Sequence, residues 1–387
     1  MIDFSNTETA FKMKTKIDLL QSRLLFSTLS SPMVVRVLKS ITLAALALRL
    51  PIKGIVKATV FRQFCGGESV EDCTQQIDRL AAGNVGAILD YSVEGKAQEE
   101  DFNRTLATTI ETLQYAKVNE NVPFGVFKPT GLGRIDIYEK ISQEKPLGGE
   151  EQLAWNQTLD RWKKIIEKAA ELEVPVMVDA EESWIQPAVD DLVIQYMNQY
   201  NRKIPIVYNT AQLYRHDRFA QLEKALETAK QKGYIYAVKI VRGAYMEKER
   251  IRAKTLGYPS PIQPNKVATD HDYNEALKLI LKNIQHMAVV IGTHNEDSVQ
   301  LAATLLEDAN LPLNHPRVHV AQLFGMSDHI SFNASNAGLN TAKYLPFGPV
   351  RDVLPYLFRR AEENTSVEGQ TGRELKLIQE ELARRNA

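Results

Sequence analysis

The sequence predicts an α/β fold, a (β/α)8 TIM-like barrel preceded by an N-terminal helical arm. Eight short apolar runs recur at intervals too long for hairpins, and stretches with apolar residues at helical spacing fill the gaps. Continuous apolar runs are typical of strands buried on both faces in a parallel sheet. No Gly-x-Gly-x-x-Gly motif follows the first run, which argues against a doubly wound dinucleotide-binding sheet. The repeated strand–helix units therefore favour a barrel.

The predicted strands are the apolar runs at residues 84–90, 122–129, 174–180, 204–210, 234–243, 286–294, 317–325 and 341–348. Two connections between them, 130–173 and 244–285, are longer than a barrel requires. The second contains the proline-rich stretch "TLGYPSPIQPNKVATDHD", which we expect to form a lid after the fifth strand. Residues 1–82 lack the alternation, so we predict a helical arm there and a catalytic barrel over 83–387.

The composition is that of an ordinary globular protein. Hydrophobic residues make up 44% of the 387 residues and charged residues 25%. The formal net charge of −1 gives no general attraction to nucleic acid, and we expect no nucleic-acid partner. Cys65 and Cys73 form no Cys-x-x-Cys motif, which favours a reducing compartment and no structural zinc site.

The amino-terminal region has two features that bear on membranes. Residues 1–20 are mixed in charge and have neither a signal-peptide core nor Arg-rich transit character. The most apolar window, residues 31–64, is interrupted by Arg36, Lys39 and other cations, and it is too broken for a spanning helix. We expect amphipathic helices with a cationic side, which either pack on the barrel or contact a membrane surface.

Polar residues stand where the predicted strands end, and barrel enzymes place their chemistry there. These residues are Lys128, Asp179, Asn209, Gln212, Lys239, Thr293, His294, Gln322 and Tyr344. Any one of them could be a turn residue, and Asp179, Thr293 and Asn295 could each cap a following helix. Seven such strand ends at one rim nevertheless indicate a functional site.

The predicted rim is cationic, because its basic residues outnumber its acidic ones. The basic residues are Lys128, Lys239, Arg242, Arg359 and Arg360, and the acidic residues are Asp179 and Glu363. Adjacent arginines repel each other, and their planar groups suit carboxylates and phosphates. Two small residues follow Arg242, so the backbone can approach a bulky phosphorylated cofactor. The pattern indicates a carboxylate substrate with such a cofactor.

Six segments of the predicted barrel resemble a known family. They are "KPTGL", "VDAEE", "NTAQLY", "KIVRGAY", "GTHNE" and "YLPFGPVRDVLPYLFRRAEEN". In this order they resemble proline dehydrogenase, and "QFCGGES" in the arm resembles its monofunctional, mitochondrial-type branch. The resemblance implies oxidation of L-proline to Δ1-pyrroline-5-carboxylate by hydride transfer to FAD, with electrons passed on to a membrane quinone.

The resemblance also implies a role for each matched residue. The implied substrate-binding residues are Lys128, Tyr245, Tyr344, Tyr356, Arg359 and Arg360. The arginines and the lysine would hold the carboxylate, and Tyr344 and Tyr356 would wall the ring. The implied cofactor-binding residues are Ala180, Gln212, Arg242, Gly243, Ala244, Thr293, His294 and Glu363. The implied catalytic residues are Asp179 and Lys239, the latter standing where bifunctional bacterial relatives carry arginine.

Four more expectations concern single positions. We expect Pro355 to kink the eighth helix or to remove one of its backbone bonds. Glu94, after the first strand, is a candidate gate that pairs with Arg359. Hydroxyproline-specific relatives carry a smaller residue where Tyr344 stands, so we favour proline over hydroxyproline. No side chain stands out as the base for the substrate amine, and solvent can serve.

Two other classes of protein remain as alternatives. A metal-dependent barrel hydrolase could use Asp179 and His294 with His315 and His319, but the first predicted strand lacks the His-x-His pair of that class. A non-enzymatic, membrane-associated scaffold would have no need for so many rim cations and tyrosines. We expect a cytoplasmic protein, peripheral to an inner membrane, or on the matrix side of the mitochondrial inner membrane if the source is eukaryotic.

Overall fold

The structure, a computed structural model, describes residues 1–48, 51–93, 98–366 and 370–386, without the side chains of residues 32, 43, 46, 47, 362–366, 370 and 371. Its architecture is a (β/α)8 barrel. Eight strands form one sheet in the order β1-β8-β7-β6-β5-β4-β3-β2. This confirms the predicted fold class. The predicted gate, Glu94, lies outside the described residues.

Every strand overlaps the apolar run from which it was predicted. The strands are β1 (Val85–Tyr91), β2 (Gly125–Phe127), β3 (Val176–Val178), β4 (Val207–Gln212), β5 (Tyr236–Val241), β6 (Met287–Gly292), β7 (Val318–Leu323) and β8 (Thr341–Phe347). Their burial is nearly continuous, as it must be when helices cover one face of a sheet and the barrel core covers the other.

The segment before β1 is helical, as predicted. Its helices are α1 (Thr7–Ala10), α2 (Lys16–Leu29), α3 (Pro32–Ala47), α4 (Lys53–Val56), α5 (Arg62–Phe64) and α6 (Thr74–Ala81), with a π-helical turn at Lys57–Phe61 and a 3-10 turn at Glu71–Cys73. Thr15 and Asp18 form a capping box that starts α2.

The remaining helices follow the strands. They are α7 (Glu99–Val118), α8 (Ile135–Ser142), α9 (Gly149–Leu172), α10 (Gln186–Tyr200), α11 (Arg218–Lys232), α12 (Met246–Leu256), α13 (Lys266–Lys282), α14 (Glu296–Asp308), α15 (Asp328–Asn336), α16 (Leu354–Ser366) and α17 (Gln370–Arg384), with a 3-10 turn at Pro129–Gly131. The long connection at 130–173 is therefore mostly helix.

The connection that contains the stretch predicted as a lid is mostly helical. Helices α12 and α13 take up most of the connection and leave only residues 257–265 between them. This short segment is fastened to the end of β4, because Ile262 forms a β-bridge with Arg215 and the Gln263 amide donates to the Tyr214 carbonyl at 2.7 Å. The segment 257–265 is therefore paired through its backbone rather than being an open loop.

The described chain separates into two compact units. The first unit contains residues 96–321 together with Met1, and the second contains residues 2–95 and 322–387. In the first unit, β2 to β6 each pair in parallel with the next strand. In the second unit, β1 pairs in parallel with β8 from Val85↔Thr341 to Tyr91↔Phe347. The predicted division at residue 82 remains a prediction.

Each unit has its own apolar packing. In the first unit, the ring of Trp162 on α9 meets Phe127 of β2 edge to face, with 4.9 Å between ring centroids. In the second, Phe26 of α2 and Phe64 of α5 are buried in one cluster with Leu357 of α16 and Leu377 of α17. Burying each such side chain stabilises the folded state by roughly 1.5–3 kcal/mol. This packing holds in place the strand ends that carry the polar residues.

Candidate active site

Three charged side chains of the first unit meet at strand ends. Lys128 and Asp179 follow β2 and β3 directly, and Lys239 lies within β5. One carboxylate oxygen of Asp179 accepts a hydrogen bond from Lys239 Nζ at 2.5 Å, and the other lies 3.4 Å from Lys128 Nζ. The Asp179 amide donates to the Phe127 carbonyl at 3.0 Å, so backbone pairing holds the aspartate in place. The structure thus brings these predicted residues together.

The cluster carries a net positive charge and little water. The side chains of Lys128, Asp179 and Lys239 are 14%, 13% and 7% exposed. Burial alone would raise the pKa of Asp179, but the ammonium groups of Lys239 and Lys128 outweigh it and hold that pKa below its ordinary value. Two ammonium groups around one carboxylate form a site that suits an anionic ligand.

Gln212 ties together the segments that follow β3 and β5. Its Nε2 donates to the backbone carbonyl of Glu181 at 2.7 Å, and its Oε1 accepts from the Ala244 amide at 3.4 Å. The side chain is buried at the end of β4. Gln212 therefore fixes the path of the backbone next to Ala180 and Ala244, both of which the sequence assigned to a cofactor site.

Gly243 is required by its conformation and by its neighbour. Its φ of +137° is one that L side chains rarely adopt, and a Cβ there would lie 2.5 Å from the ring of Tyr214. The Tyr214 amide donates to the Arg242 carbonyl at 2.7 Å, so the ring cannot move away freely. The result is an exposed stretch of backbone at Gly243 and Ala244 that carries no side chain beyond a methyl group.

Four side chains orient the guanidinium group of Arg242. Its Nε donates to Asp270 at 2.6 Å, Nη1 to Thr293 Oγ1 at 2.9 Å and Nη2 to Ser298 Oγ at 3.1 Å. Its carbon lies 4.3 Å from the centroid of the Tyr273 ring. Arg242 is therefore a preorganised cation beside the bare backbone of Gly243, and Thr293 is one of its supports.

The end of β6 combines a site residue with a helix cap. Asn295 caps α14 by accepting from the Ser298 amide at 2.8 Å, and Thr293 Oγ1 accepts from the Asn295 amide at 3.1 Å. His294 lies between them and is partly exposed. Tyr245, which precedes α12, is also partly exposed. The capping role that the sequence allowed for Asn295 is confirmed, and Thr293 serves Asn295 and Arg242 together.

The second unit carries the paired arginines. Arg360 of α16 is only 6% exposed, and its guanidinium carbon lies 5.3 Å from the ring centroid of Tyr356, which is itself buried. The guanidinium of Arg359 lies 5.9 Å from the same ring. Tyr344 is buried on β8 and accepts at its carbonyl from the Phe324 amide at 2.8 Å. The side chain of Glu363 lies outside the described residues.

The expected kink at Pro355 is wrong. Helix α16 begins at Leu354, so Pro355 stands in its first turn. Amides in a first turn have no intrahelical acceptor, so the missing N–H of proline costs no hydrogen bond there. The fixed φ of the ring instead suits the start of the helix.

Sequence reasoning missed several residues that hold the site. Glu181 accepts two hydrogen bonds from Thr130, and Asp270 and Ser298 hold Arg242. Glu181 had a usable signal, because it stands two residues after Asp179 in "VDAEE". Asp270 and Ser298 had none, since they come from helices 28 and 56 residues away in sequence.

Histidines do not form a metal centre in the part of the chain that the structure describes. No group of three or more His, Cys, Asp or Glu side chains among the described residues could hold a metal ion. Burial lowers the pKa of His319 to about 4, and its ring meets Phe124 edge to face at 4.9 Å. His319 is accordingly a core residue of the first unit.

No single helix among the described residues is both long and apolar enough to cross a bilayer. The helices Lys16–Leu29 and Met33–Thr42 meet the length and composition criteria only as a pair, and they are bent by 100° relative to each other.

Fold and site together define a barrel enzyme whose strand ends carry buried, preorganised cations. A family model described as proline dehydrogenase matches residues 73–373 of the chain. The protein belongs to the proline dehydrogenase family and is an oxidoreductase.

Individual relatives agree with this assignment. The carbapenem antibiotics biosynthesis protein CarD of Pectobacterium carotovorum subsp. carotovorum is 34% identical over 323 residues, which cover 83% of this chain and 83% of that protein. The mitochondrial proline dehydrogenase 1 of Dictyostelium discoideum is 32% identical over 384 residues, 88% of this chain and 67% of that protein. The resemblance to the mitochondrial-type branch is thereby confirmed.

A solved structure supports the fold. Proline utilization A (PutA) from Bdellovibrio bacteriovorus, inactivated by N-propargylglycine, superposes with a TM-score of 0.73 at 21% identity. The match covers 93% of this chain but only 38% of that longer chain. It therefore bears on the barrel architecture alone.

Proposed function

We propose that the protein catalyses the first step of proline catabolism, the oxidation of L-proline to Δ1-pyrroline-5-carboxylate, with FAD as cofactor and a membrane quinone as electron acceptor. The observation that carries the proposal is the buried cluster of Lys128, Asp179 and Lys239 at the carboxyl ends of barrel strands in a chain of this family. Its two ammonium groups suit a small carboxylate.

In this proposal the substrate carboxylate is held by Arg359, Arg360 and Lys128. The burial of Arg360 supports its role, because a guanidinium withdrawn from water gains most from an anionic partner. Arginine can offer two parallel N–H groups to a carboxylate, whereas Lys128 acts as a point charge. Glu363 is proposed to moderate the repulsion between the arginines from the next helical turn.

The proposed walls of the substrate ring are Tyr344, Tyr356 and Tyr245. Burial of Tyr344 and Tyr356 supports this role, since buried aromatic rings are rigid and exclude water. A five-membered ring with apolar methylene groups and one carboxylate matches such a combination of aromatic faces and cations.

The residues after β5 and β6 fit a flavin dinucleotide. The bare backbone at Gly243 and Ala244 admits a close approach, and Arg242 supplies a fixed cation that suits a phosphate. Gln212 adds a buried amide at the end of β4. The proposed cofactor-binding residues are Ala180, Gln212, Arg242, Gly243, Ala244, Thr293, His294 and Glu363.

When bound, FAD supplies the hydride acceptor. The protein's own task is to position the substrate and to exclude water. Asp179 is a poor base, because neighbouring ammonium groups keep its pKa below the ordinary value. Asp179 and Lys239 are therefore proposed to act as a fixed electrostatic pair, and the proton of the substrate amine leaves to solvent.

An anaerobic titration with L-proline tests the function directly. The purified protein should be yellow, and its flavin absorption should bleach as L-proline is added. The Arg360→Ala variant should lose about 2–5 kcal/mol of proline binding, since one partner of a buried charge pair is removed. A colourless protein, or a flavin that L-proline leaves oxidised, would overturn the proposal. A KM for Arg360→Ala within a few-fold of wild type would remove the arginine clamp from it.

Hydroxyproline is the alternative substrate. Tyr344 is 7% exposed, so its ring leaves little space for an added hydroxyl group. We therefore expect kcat/KM for L-proline to exceed that for trans-4-hydroxyproline by at least about tenfold, the scale of one crowded group. Equal values for the two substrates would contradict the assignment to proline.

The amino-terminal helices are proposed to bind an anionic membrane surface, where a quinone would be reached. Exposed apolar side chains line one side of α2 at Ile17 and Leu24 and one side of α3 at Met33, Val37 and Ile41. Residues 19–67 contain seven lysines and arginines and no aspartate or glutamate, and of these cations Lys53 and Lys57 pair with Glu68 while Arg62 pairs with Asp18. This combination matches anionic lipid headgroups and supports a peripheral position on an inner membrane.

A further inference from the structure

Glu181 makes a two-point contact with Thr130. The Thr130 amide donates to Oε2 of Glu181 at 2.9 Å, and the Thr130 hydroxyl donates to Oε1 at 2.6 Å. The glutamate is buried, with 7% of its surface exposed. Both carboxylate oxygens thus serve a single residue that lies 51 positions away in sequence.

Thr130 belongs to the turn that starts directly after Lys128. The Gly131 amide donates to the Lys128 carbonyl at 3.0 Å, and the Leu132 amide donates to the Pro129 carbonyl at 3.0 Å. Pro129 is buried and has a fixed φ, so the turn has few conformations open to it. Whatever fixes Thr130 therefore also fixes the direction in which the Lys128 side chain leaves the backbone.

Lys128 needs such a support more than Lys239 does. Lys239 is held by a 2.5 Å hydrogen bond to Asp179, whereas Lys128 lies 3.4 Å from the same carboxylate. A 3.4 Å contact constrains a long lysine side chain only weakly. The backbone of its turn therefore contributes to the position of the Lys128 ammonium group.

Glu181 is itself anchored from a third strand. Its backbone carbonyl accepts from Gln212 Nε2 at 2.7 Å, at the end of β4. One residue therefore connects the turn after β2, the segment after β3 and the end of β4. The connection involves only residues of the first unit.

We infer that Glu181 is a positioning residue for the reaction, which orients the turn at Thr130 so that Lys128 meets the carboxylate of the substrate. The inference rests on the proposed function, because it assigns Lys128 to the substrate carboxylate. Glu181 touches neither substrate nor cofactor in this role. It acts through Thr130.

The positioning role does not require Glu181 to be charged. Burial and the negative charge of Glu182 raise the pKa of Glu181 to about 7, against the opposing influence of the Thr130 hydrogen bonds and of Lys128. Its carboxyl group also faces Tyr138 of α8. In the protonated form the Thr130 hydroxyl can turn to accept a hydrogen bond, so the two-point contact survives the loss of charge. An amide side chain can make the same pair of bonds.

Four variants separate position from charge and from folding. Glu181→Leu removes both acceptors, and Glu181→Gln keeps an acceptor and a donor without the charge. Thr130→Val removes the hydroxyl, and Thr130→Ser restores it. Glu182→Gln is the matched control at the next residue, where the carboxylate pairs with Lys248, whose side chain is 58% exposed.

The readouts are kcat and KM for L-proline, with the flavin content of each purified variant. We expect Glu181→Leu to raise KM about tenfold or more, as the Thr130 amide loses its acceptor, while kcat changes less than about threefold. Thr130→Val should raise KM about fivefold, and Glu181→Gln, Thr130→Ser and Glu182→Gln should stay within about threefold of wild type. If Glu181→Leu does not fold, the Thr130→Val and Thr130→Ser pair decides.

Two results would overturn the inference. Wild-type KM in Thr130→Val, and in Glu181→Leu where it folds, would show that the contact does not position Lys128. A KM in Glu181→Gln as high as in Glu181→Leu would show that charge rather than position matters. Failure of the proposed function itself looks different, because the wild-type flavin would then remain oxidised in the presence of L-proline.

Discussion

The ammonium group of Lys239 lies 2.5 Å from the carboxylate of Asp179, and Lys128 approaches the same carboxylate at 3.4 Å. These side chains are largely withdrawn from water, so the removal of any one of the three charges should change the stability of the folded protein. Removing Lys239 takes away the shorter of these two contacts, and a hydrogen bond between charged groups typically contributes about 1.5–3 kcal/mol.

Lys239→Met should therefore lower the free energy of unfolding by about 2 kcal/mol at pH 7. The pKa of Asp179 is depressed in the folded protein, so the stabilisation from its charge is present above the unfolded pKa and is lost as the pH falls. The deficit of the variant should accordingly shrink in acid. Denaturant unfolding at several pH values measures this deficit.

The control is Lys278→Met, which removes an exposed pair with Glu275 and should cost less than about 1 kcal/mol. Equal losses in the two variants would contradict the argument.

Gly243→Ala should both destabilise the protein and reduce its flavin content. The new Cβ would lie 2.5 Å from the Tyr214 ring at a φ of +137°, and strain with overpacking costs about 3 kcal/mol. Gly257→Ala is the matched control, because Gly257 also has a positive φ, of +73°, but nothing lies within 4 Å of its added Cβ. It should cost only about 1 kcal/mol and leave flavin binding intact. Wild-type flavin content in Gly243→Ala would refute the need for a bare backbone there.

The fold was predictable because the relevant signal is local. Each strand is a continuous apolar run, and its end is marked by a polar residue such as Lys128 or Asp179, so the barrel and part of its rim follow from the sequence. Partners that come from distant helices leave no such signal. Asp270 meets Arg242 only because α13 packs beside β5, and nothing in the sequence around either residue reports that contact.

The true start of α16 was unpredictable for a different reason. Apolar periodicity continues through Pro355, so the sequence suggests a helix that contains the proline. In the structure the helix begins at Leu354, one residue before Pro355. The proline therefore stands in the first turn, where it is favourable. Helix boundaries depend on which backbone groups find partners, and periodicity carries little of that information.

Glu181 should make stability fall as the pH rises. Its pKa is raised to about 7 in the folded protein from an ordinary 4.5, so its favourable contribution is complete below the unfolded pKa and is lost as the pH rises through 7. Between pH 5 and pH 8 the wild type should lose about 2 kcal/mol relative to Glu181→Gln, at 1.36 kcal/mol per pKa unit. Paired unfolding curves of the two proteins measure the difference. A difference that is the same at both pH values would show that the carboxyl group titrates normally.

Lys343→Met should be among the more damaging changes in the second unit. The Lys343 side chain is 1% exposed, its Nζ lies 2.7 Å from Asp328 and donates to the Met326 carbonyl at 2.6 Å, and Lys14 reaches the other oxygen of Asp328 at 2.8 Å. Losing this lysine leaves a buried carbonyl without its donor and should cost about 3–5 kcal/mol.

The coupling between Lys343 and Asp328 can be isolated by a double-mutant cycle. Lys343→Met combined with Asp328→Leu should cost less than the sum of the single changes, because the double variant does not leave Lys343 without Asp328, and the loss of Asp328 as a partner of Lys14 occurs in both Asp328→Leu backgrounds and cancels. The matched control is Lys376→Met, whose partner Glu380 lies 3.7 Å away at the surface, and it should change stability by less than about 1 kcal/mol. Additive costs for the two buried residues would mean that the ion pair contributes nothing of its own.

The proposed membrane surface predicts how the helices of the arm respond to added charge. Leu24 and Met33 are 71% and 75% exposed, so replacing both with glutamate should leave the fold intact. Each change forfeits the burial of an apolar side chain in the lipid interface, about 1.5–3 kcal/mol, so cosedimentation with phosphatidylglycerol vesicles should weaken at least about tenfold. Val118→Glu is the control, because Val118 is 83% exposed on α7 and carries no predicted lipid contact. Binding should also fall with salt and be weak on neutral phosphatidylcholine, since the cations of residues 19–67 meet anionic headgroups.

Vesicle binding that is equal for the double variant and for Val118→Glu would exclude α2 and α3 as the contact surface.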